Sequence, residues 1–210
     1  MRRIAKNNCP QVLVDNSTAW LDAYLNDKKN DTKKYRYRHP DIKSAIRLEA
    51  SDKCIYCESK VGHNTPGDIE HIIPSSKAED QIFAWENLTL ACTECNRRKS
   101  AYYDPNLPFL NPYVDDVEDK LVHYGPVVSW KVGDAQAEIS VKTLELNAQA
   151  RKTLFFQKIG KMEAVDNLLE RIESETNDAL KLLLVKELEE MQKPEAEFSA
   201  MVVSIVAANS

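Results

Sequence analysis

Apolar residues recur at helical spacing in five stretches of the chain and at strand spacing in one. Near the start, Trp20, Leu21, Tyr24 and Leu25 mark one side of a short helix that Ser17 or Thr18 would cap. Residues 26–34 are polar throughout and read as an exposed loop. Residues 35–39, Tyr-Arg-Tyr-Arg-His, alternate ring and cation. They read as a solvated strand or loop, or else as a strip that contacts phosphates and bases. Pro40 suits the first position of a helix, and Ile42, Ala45, Ile46 and Glu49 give that helix one side. Residues 104–112 carry three prolines and read as an extended linker. Strand spacing then covers residues 121–124 and 127–132, with a turn at Gly133 and Asp134 and a further strand over 137–141. Asn147 is placed to cap a long helix with an apolar face of Leu154, Phe155, Ile159, Met162, Val165, Leu169 and Ile172. A second helix follows around Leu180, Leu183, Leu184, Leu188 and Met191 and stops at Lys193-Pro194. Phe198, Met201, Val202, Ile205 and Val206 supply a last one.

This order predicts an α+β chain in three parts: an N-terminal helical segment over 1–50, a core over 51–104, and a β-hairpin with C-terminal helices over 105–210, the part expected to bind a partner. At 210 residues with 43% hydrophobic and 29% charged positions the chain is globular. Only five glycines argue against a glycine-rich nucleotide-binding loop. The start of the chain lacks the apolar core of an export signal, and the longest aliphatic run is too short for a bilayer. A cytoplasmic location is therefore expected, where thiols stay reduced. The net charge is −5, unevenly spread. Lys and Arg outnumber Asp and Glu by 17 to 15 up to residue 105, and are outnumbered 11 to 18 beyond it.

The chemistry concentrates in residues 54–99. Cys54 and Cys57 form one C-x-x-C pair, Cys92 and Cys95 another, and two such knuckles close one tetrahedral zinc site with no open position. Cys9 stands apart as a free thiol. The long loop between the knuckles holds Glu70 and His71, and the second knuckle runs directly into Asn96, Arg97, Arg98 and Lys99. Hydrolysis of a phosphodiester needs a base near neutral pKa to activate water, which His71 can supply. It also needs a hard cation at the departing oxygen, for which Glu70 and Asn96 offer a carboxylate and an amide. Neighbouring residues on a strand face opposite sides. Glu70 and His71 would have to straddle one phosphate, and Asp68, on the side of Glu70, is the alternative ligand. Arg97, Arg98 and Lys99 at a helix start would meet phosphates. His39, His63 and His123 read as surface or structural residues, and Trp85 as core beneath Asn87.

Together Cys54-x-x-Cys57, Glu70-His71-Ile72-Ile73-Pro74, Trp85-Glu86-Asn87-Leu88 and Cys92-x-x-Cys95-Asn96-Arg97-Arg98-Lys99 resemble the zinc-bearing HNH endonucleases. The resemblance implies a ββα-metal core with its helix starting near Asn96. It also implies His71 as general base, Asn87 as the residue that pins the loop and orients it, and Glu70 with Asn96 as ligands of magnesium or manganese. Asn96 stands where the family's last histidine often is, which favours these ions over zinc at the catalytic position. A wider set of short pieces is similar to the HNH proteins, called PtuB, that accompany bacterial retrons and Septu anti-phage systems. These pieces are residues 1–4, Glu58, residues 110–113, Gly125-Pro126, and residues 143–147 with Arg151. That resemblance implies DNA as substrate, an SMC/ABC-like ATPase (PtuA) as partner, and membership of a larger retron complex. Two other readings stand beside it: a zinc-stapled DNA- or protein-binding adaptor without cleavage, and an oxidoreductase using the C-x-x-C pairs.

Overall fold

The computed structural model describes residues 1–62 and 67–209. Helix α1, Gln11–Leu25, begins two turns earlier than its apolar pattern suggested. Extended Pro10 precedes it, so Ser17 and Thr18 lie inside the helix, and Leu13 and Tyr24 are its buried residues. The polar run closes in a short helix α2, Asp31–Lys34, capped by the Asn30 side chain. Residues Tyr35–Arg38 then form a single 3-10 turn, neither strand nor open loop, with Tyr37 buried. Helix α3, Pro40–Glu49, starts as expected: proline takes the first position, and His39 accepts from the Asp41 amide. Its inward residues Ile42 and Ile46 are wholly buried, each contributing roughly 1.5–3 kcal/mol.

Two short strands follow, β1 (Asp68–His71) and β2 (Leu88–Ala91). They pair antiparallel, Asp68 opposite Ala91 and His71 opposite Leu88. Gly67 opens β1 at φ +67°, and a Cβ there would lie 3.2 Å from Leu90 and Val61 side-chain atoms. Both the backbone and the space therefore require glycine. Helix α3 packs on β2, and helix α4, Thr93–Lys99, packs on β1. Helix α4 starts three residues before Asn96, because Cys92 is its N-cap, the sulfur accepting from the Cys95 amide at 3.4 Å.

The short helix α5, Val117–Lys120, leads into a hairpin of β3 (Leu121–Tyr124) and β4 (Val127–Trp130). The expected third strand is instead helix α6, Ala135–Thr143. Asp134 accepts from the Ala137 amide at 2.8 Å, so the Gly-Asp pair read as a hairpin turn is a helix N-cap. Asn147 caps no helix. Its side chain brackets β4, accepting from the Val128 amide at 2.9 Å and donating to the Val128 carbonyl at 2.6 Å. The long helix α7, Lys152–Ser174, begins after a 3-10 turn, and α8, Asp178–Gln192, folds back on it. Helix α9, Ser199–Ala208, packs on β3, α7 and α8 with Met201 and Val202 fully buried. The architecture is α+β, with a ββα unit (β1, β2, α4) between helical flanks. No helix among the described residues is long and apolar enough to cross a membrane.

The last helices return to the first cysteine knuckle. Lys53 reaches the carbonyls of Pro194 and of Ala196, the latter at 2.9 Å, while Ser199 donates to Glu58 at 3.2 Å. These bonds tie residues more than 130 positions apart, and they fix the knuckle from behind.

Candidate active site and metal centre

The four sulfurs of Cys54, Cys57, Cys92 and Cys95 lie within 4.8 Å of one another, and no disulfide joins them. Cys57 and Cys92 are 3.8 Å apart. That spacing fits the edge of a tetrahedron around zinc, about 3.8 Å for Zn–S bonds near 2.3 Å. Three of the four residues are buried and Cys92 is partly so. One cation belongs to the cluster as well: Arg151, buried, donates to Cys95 Sγ at 3.3 Å and to the Leu144 carbonyl at 3.1 Å. Its charge would offset part of the negative charge of four thiolates holding one divalent ion. The sequence flagged Arg151 only as part of a resemblance, and nothing in its spacing pointed to a sulfur partner.

Beside this cluster lies an open cavity of about 560 Å³ whose wall includes Asp68, Glu70, His71 and Asn96. The four come from two segments. Asp68, Glu70 and His71 sit on β1, and Asn96 sits on α4 next to the ligand Cys95. Folding of the knuckle therefore brings the amide to the carboxylates. Asn96 donates to Asp68 at 3.1 Å. Although neighbours on a strand, Glu70 and His71, the last residue of β1, both line this cavity.

His71 is buried, with its Nε2 3.0 Å from the Ile82 carbonyl oxygen. A carbonyl can only accept, so Nε2 carries the proton and Nδ1 keeps its lone pair. Burial pushes the imidazole down to about 4, against the pull of the Ile82 carbonyl, so the ring is neutral at physiological pH. Tyr37 packs edge-on against the same ring at 4.7 Å between centroids. Asn87 holds the loop that follows β1. Its Oδ1 accepts from the Ile73 amide at 2.7 Å, and its Nδ2 donates to the carbonyls of Ile73 at 3.0 Å and Gln81 at 3.3 Å. The Asn87 carbonyl also accepts from the Ile72 amide at 2.9 Å. Trp85 is buried, donating to the Asn7 carbonyl at 2.7 Å.

The cations of α4 are placed differently from expectation. Lys99 is 1% exposed, with Nζ 2.7 Å from Glu70 Oε1 and 2.9 Å from the His71 carbonyl oxygen, so it faces the carboxylate and not a phosphate. Burial raises the Glu70 carboxyl while Lys99 draws it back. Arg97 pairs with Glu94 at 3.1 Å, and Arg98 pairs with both Glu94 and Glu145. Of the remaining histidines, His39 caps α3, His123 is half-buried on β3, and His63 lies outside the described residues.

Residues 54–101 match the family profile described as HNH endonuclease. This segment is an HNH endonuclease domain. Around it, the whole chain is similar to the Septu protein PtuB of Bacillus thuringiensis, 25% identical over 225 aligned residues, covering 100% of this chain and 83% of that protein. It is also similar to the Septu protein PtuB of Bacillus mycoides (strain KBAB4), 23% identical over 168 residues, covering 63% of this chain and 57% of that protein. The HNH segment holds the four cysteines and all of Glu70, His71, Asn87 and Asn96.

Proposed function

We propose that the chain is a metal-dependent HNH endonuclease that hydrolyses phosphodiester bonds in DNA. We further propose that it works as the nuclease subunit of an anti-phage complex with an SMC/ABC-like ATPase. The observation that carries the reading is the single cavity joining Asp68, Glu70, His71 and Asn96 beside the four-sulfur cluster. Its likeness to two Septu proteins over most or all of its length supports the defence assignment.

In this mechanism His71 is the general base. The Ile82 carbonyl holds Nε2–H, leaving Nδ1 to take the proton from a water aligned on the phosphorus. Tyr37 and the Asn87-pinned loop fix the ring's orientation. Glu70 and Asn96, or Asp68 in place of Glu70, would hold magnesium or manganese, which neutralises charge on the scissile phosphate and the departing oxygen. The cysteines would hold a structural zinc that keeps β1 and α4 in register. The acidic, helix-rich region over 105–210 is the surface proposed for the ATPase.

The test is plasmid nicking by the purified protein with magnesium or manganese, alone and with a candidate SMC/ABC-like ATPase partner. His71→Ala abolishes nicking under this proposal. Equal cleavage by wild type and His71→Ala would sink it. No cleavage by either, with metal bound only at the cysteines, would leave the adaptor reading.

A further inference from the structure

Phosphate binding draws on cations whose charge is not already neutralised. All three cations of α4 fail this condition: Arg97 and Arg98 are paired with Glu94 and Glu145, and Lys99 with Glu70. The cavity nevertheless has two cations in its wall, Arg38 and Lys43. They come from the 3-10 turn Tyr35–Arg38 and the first turn of α3. Neither has a carboxylate within ion-pair distance among the described residues, and the same holds for their neighbours Lys34 and Arg36. Arg38 is exposed and rests its guanidinium 4.3 Å from the centre of the Tyr35 ring. A cation placed over a ring in this way is held in position while it keeps its charge. The same turn buries Tyr37 against His71. The turn therefore fixes its cations relative to the base.

We infer that Arg38 and Lys43 are the phosphate-binding residues of this site, holding the backbone of the nucleic-acid strand at the cavity. The inference rests on the nuclease reading above. It places substrate binding on the N-terminal segment and chemistry on the zinc-stapled unit. The cavity wall then combines acidic groups suited to a cation with basic groups suited to phosphates, as a bound phosphodiester requires. Lys34, whose charge is felt at His71, extends the basic strip.

The test measures binding apart from cleavage, using full-length His71→Ala protein with its ATPase partner and a short labelled duplex over a range of salt. Arg38→Gln with Lys43→Gln is expected to weaken binding roughly tenfold or more and to lower the salt slope by about two. Arg38→Lys with Lys43→Arg should restore most of the affinity. Zinc content and melting temperature equal to the parent's exclude misfolding as the cause. Unchanged affinity and slope in the Gln pair, or a larger loss in Arg97→Gln with Arg98→Gln, would overturn the inference while leaving the nuclease reading intact. A parent complex that binds no duplex or single strand, and a wild type that cuts none, would overturn both.

Discussion

Lys99 Nζ lies 2.7 Å from Glu70 Oε1 and 2.9 Å from the carbonyl oxygen of His71, so one ammonium holds two neighbouring residues of β1 from α4. The side chains are 1% and 7% exposed. Lys99→Met would leave a buried carboxylate without its counter-charge, at a cost of about 3–5 kcal/mol. Glu70→Gln in the same chain removes that charge and should recover part of the loss. Urea unfolding of the two single variants and the double variant checks this. A double variant whose loss equals the sum of the singles would show that the pair is not coupled.

The contrast between Lys99 and Cys92 shows what the sequence could carry. The cysteine spacing announced a tetrahedral site, and four sulfurs within 4.8 Å agree with it. The apolar periods of α3 and α8 are equally legible, because each buries one stripe. In sequence Lys99 reads as a phosphate contact, because it follows Arg97 and Arg98 directly behind the second knuckle. Only the close packing of α4 on β1 turns its third cation inward. The strand expected over 137–141 failed for a local reason: Asp134 caps a helix, and an Asp after Gly can signal either a turn or a cap. The Ile82 carbonyl that sets the His71 tautomer is a backbone group and leaves no trace in residue identity. Tyr37 did leave one, in the alternation of rings and cations, but its burial against His71 required the fold.

Asn87 is 4% exposed, and its amide group makes three hydrogen bonds in fixed directions. Asn87→Asp keeps the shape but replaces a donor with an oxygen facing two carbonyls. A loss of about 2–3 kcal/mol is expected from the unsatisfied buried groups. Because the loop sets the position of Ile72 and the end of β1, turnover should fall while substrate binding changes little. Cleavage kinetics beside an affinity measurement checks this. A variant with raised KM and unchanged kcat would assign Asn87 to binding instead.

Arg151 links the start of α7 to the second knuckle by its bond to Cys95. Groups that hydrogen-bond to metal ligands typically change metal affinity 10–100-fold when removed, so Arg151→Gln should weaken zinc retention by roughly that factor. Arg151→Lys keeps the charge but lacks the fork that reaches both Cys95 and the Leu144 carbonyl, and an intermediate effect is expected. Competition with a chromophoric chelator, together with the rate of cysteine alkylation, reads both changes. Zinc retention equal to wild type in Arg151→Gln would make the contact incidental.

His123 is half-buried, with both ring nitrogens shut off from solvent and neither hydrogen-bonded among the described residues. Burial, then the nearby N-terminal ammonium and Lys158, push its imidazole down to about 3. An unfolded histidine titrates near 6.5. Below that pH the unfolded chain takes up a proton that the folded chain refuses, so stability held above pH 6.5 is lost as pH falls toward 3. Between pH 7 and pH 5 the loss from this residue is on the order of 2 kcal/mol. His71, lowered to about 4, adds a loss of the same sign. His123→Leu removes the first contribution and leaves the second, so its stability should fall less steeply over that range. Chemical unfolding at several pH values above 5, clear of most carboxylate titration, measures the difference between the two slopes. Parallel curves for wild type and His123→Leu would show that His123 takes up its proton in the folded state.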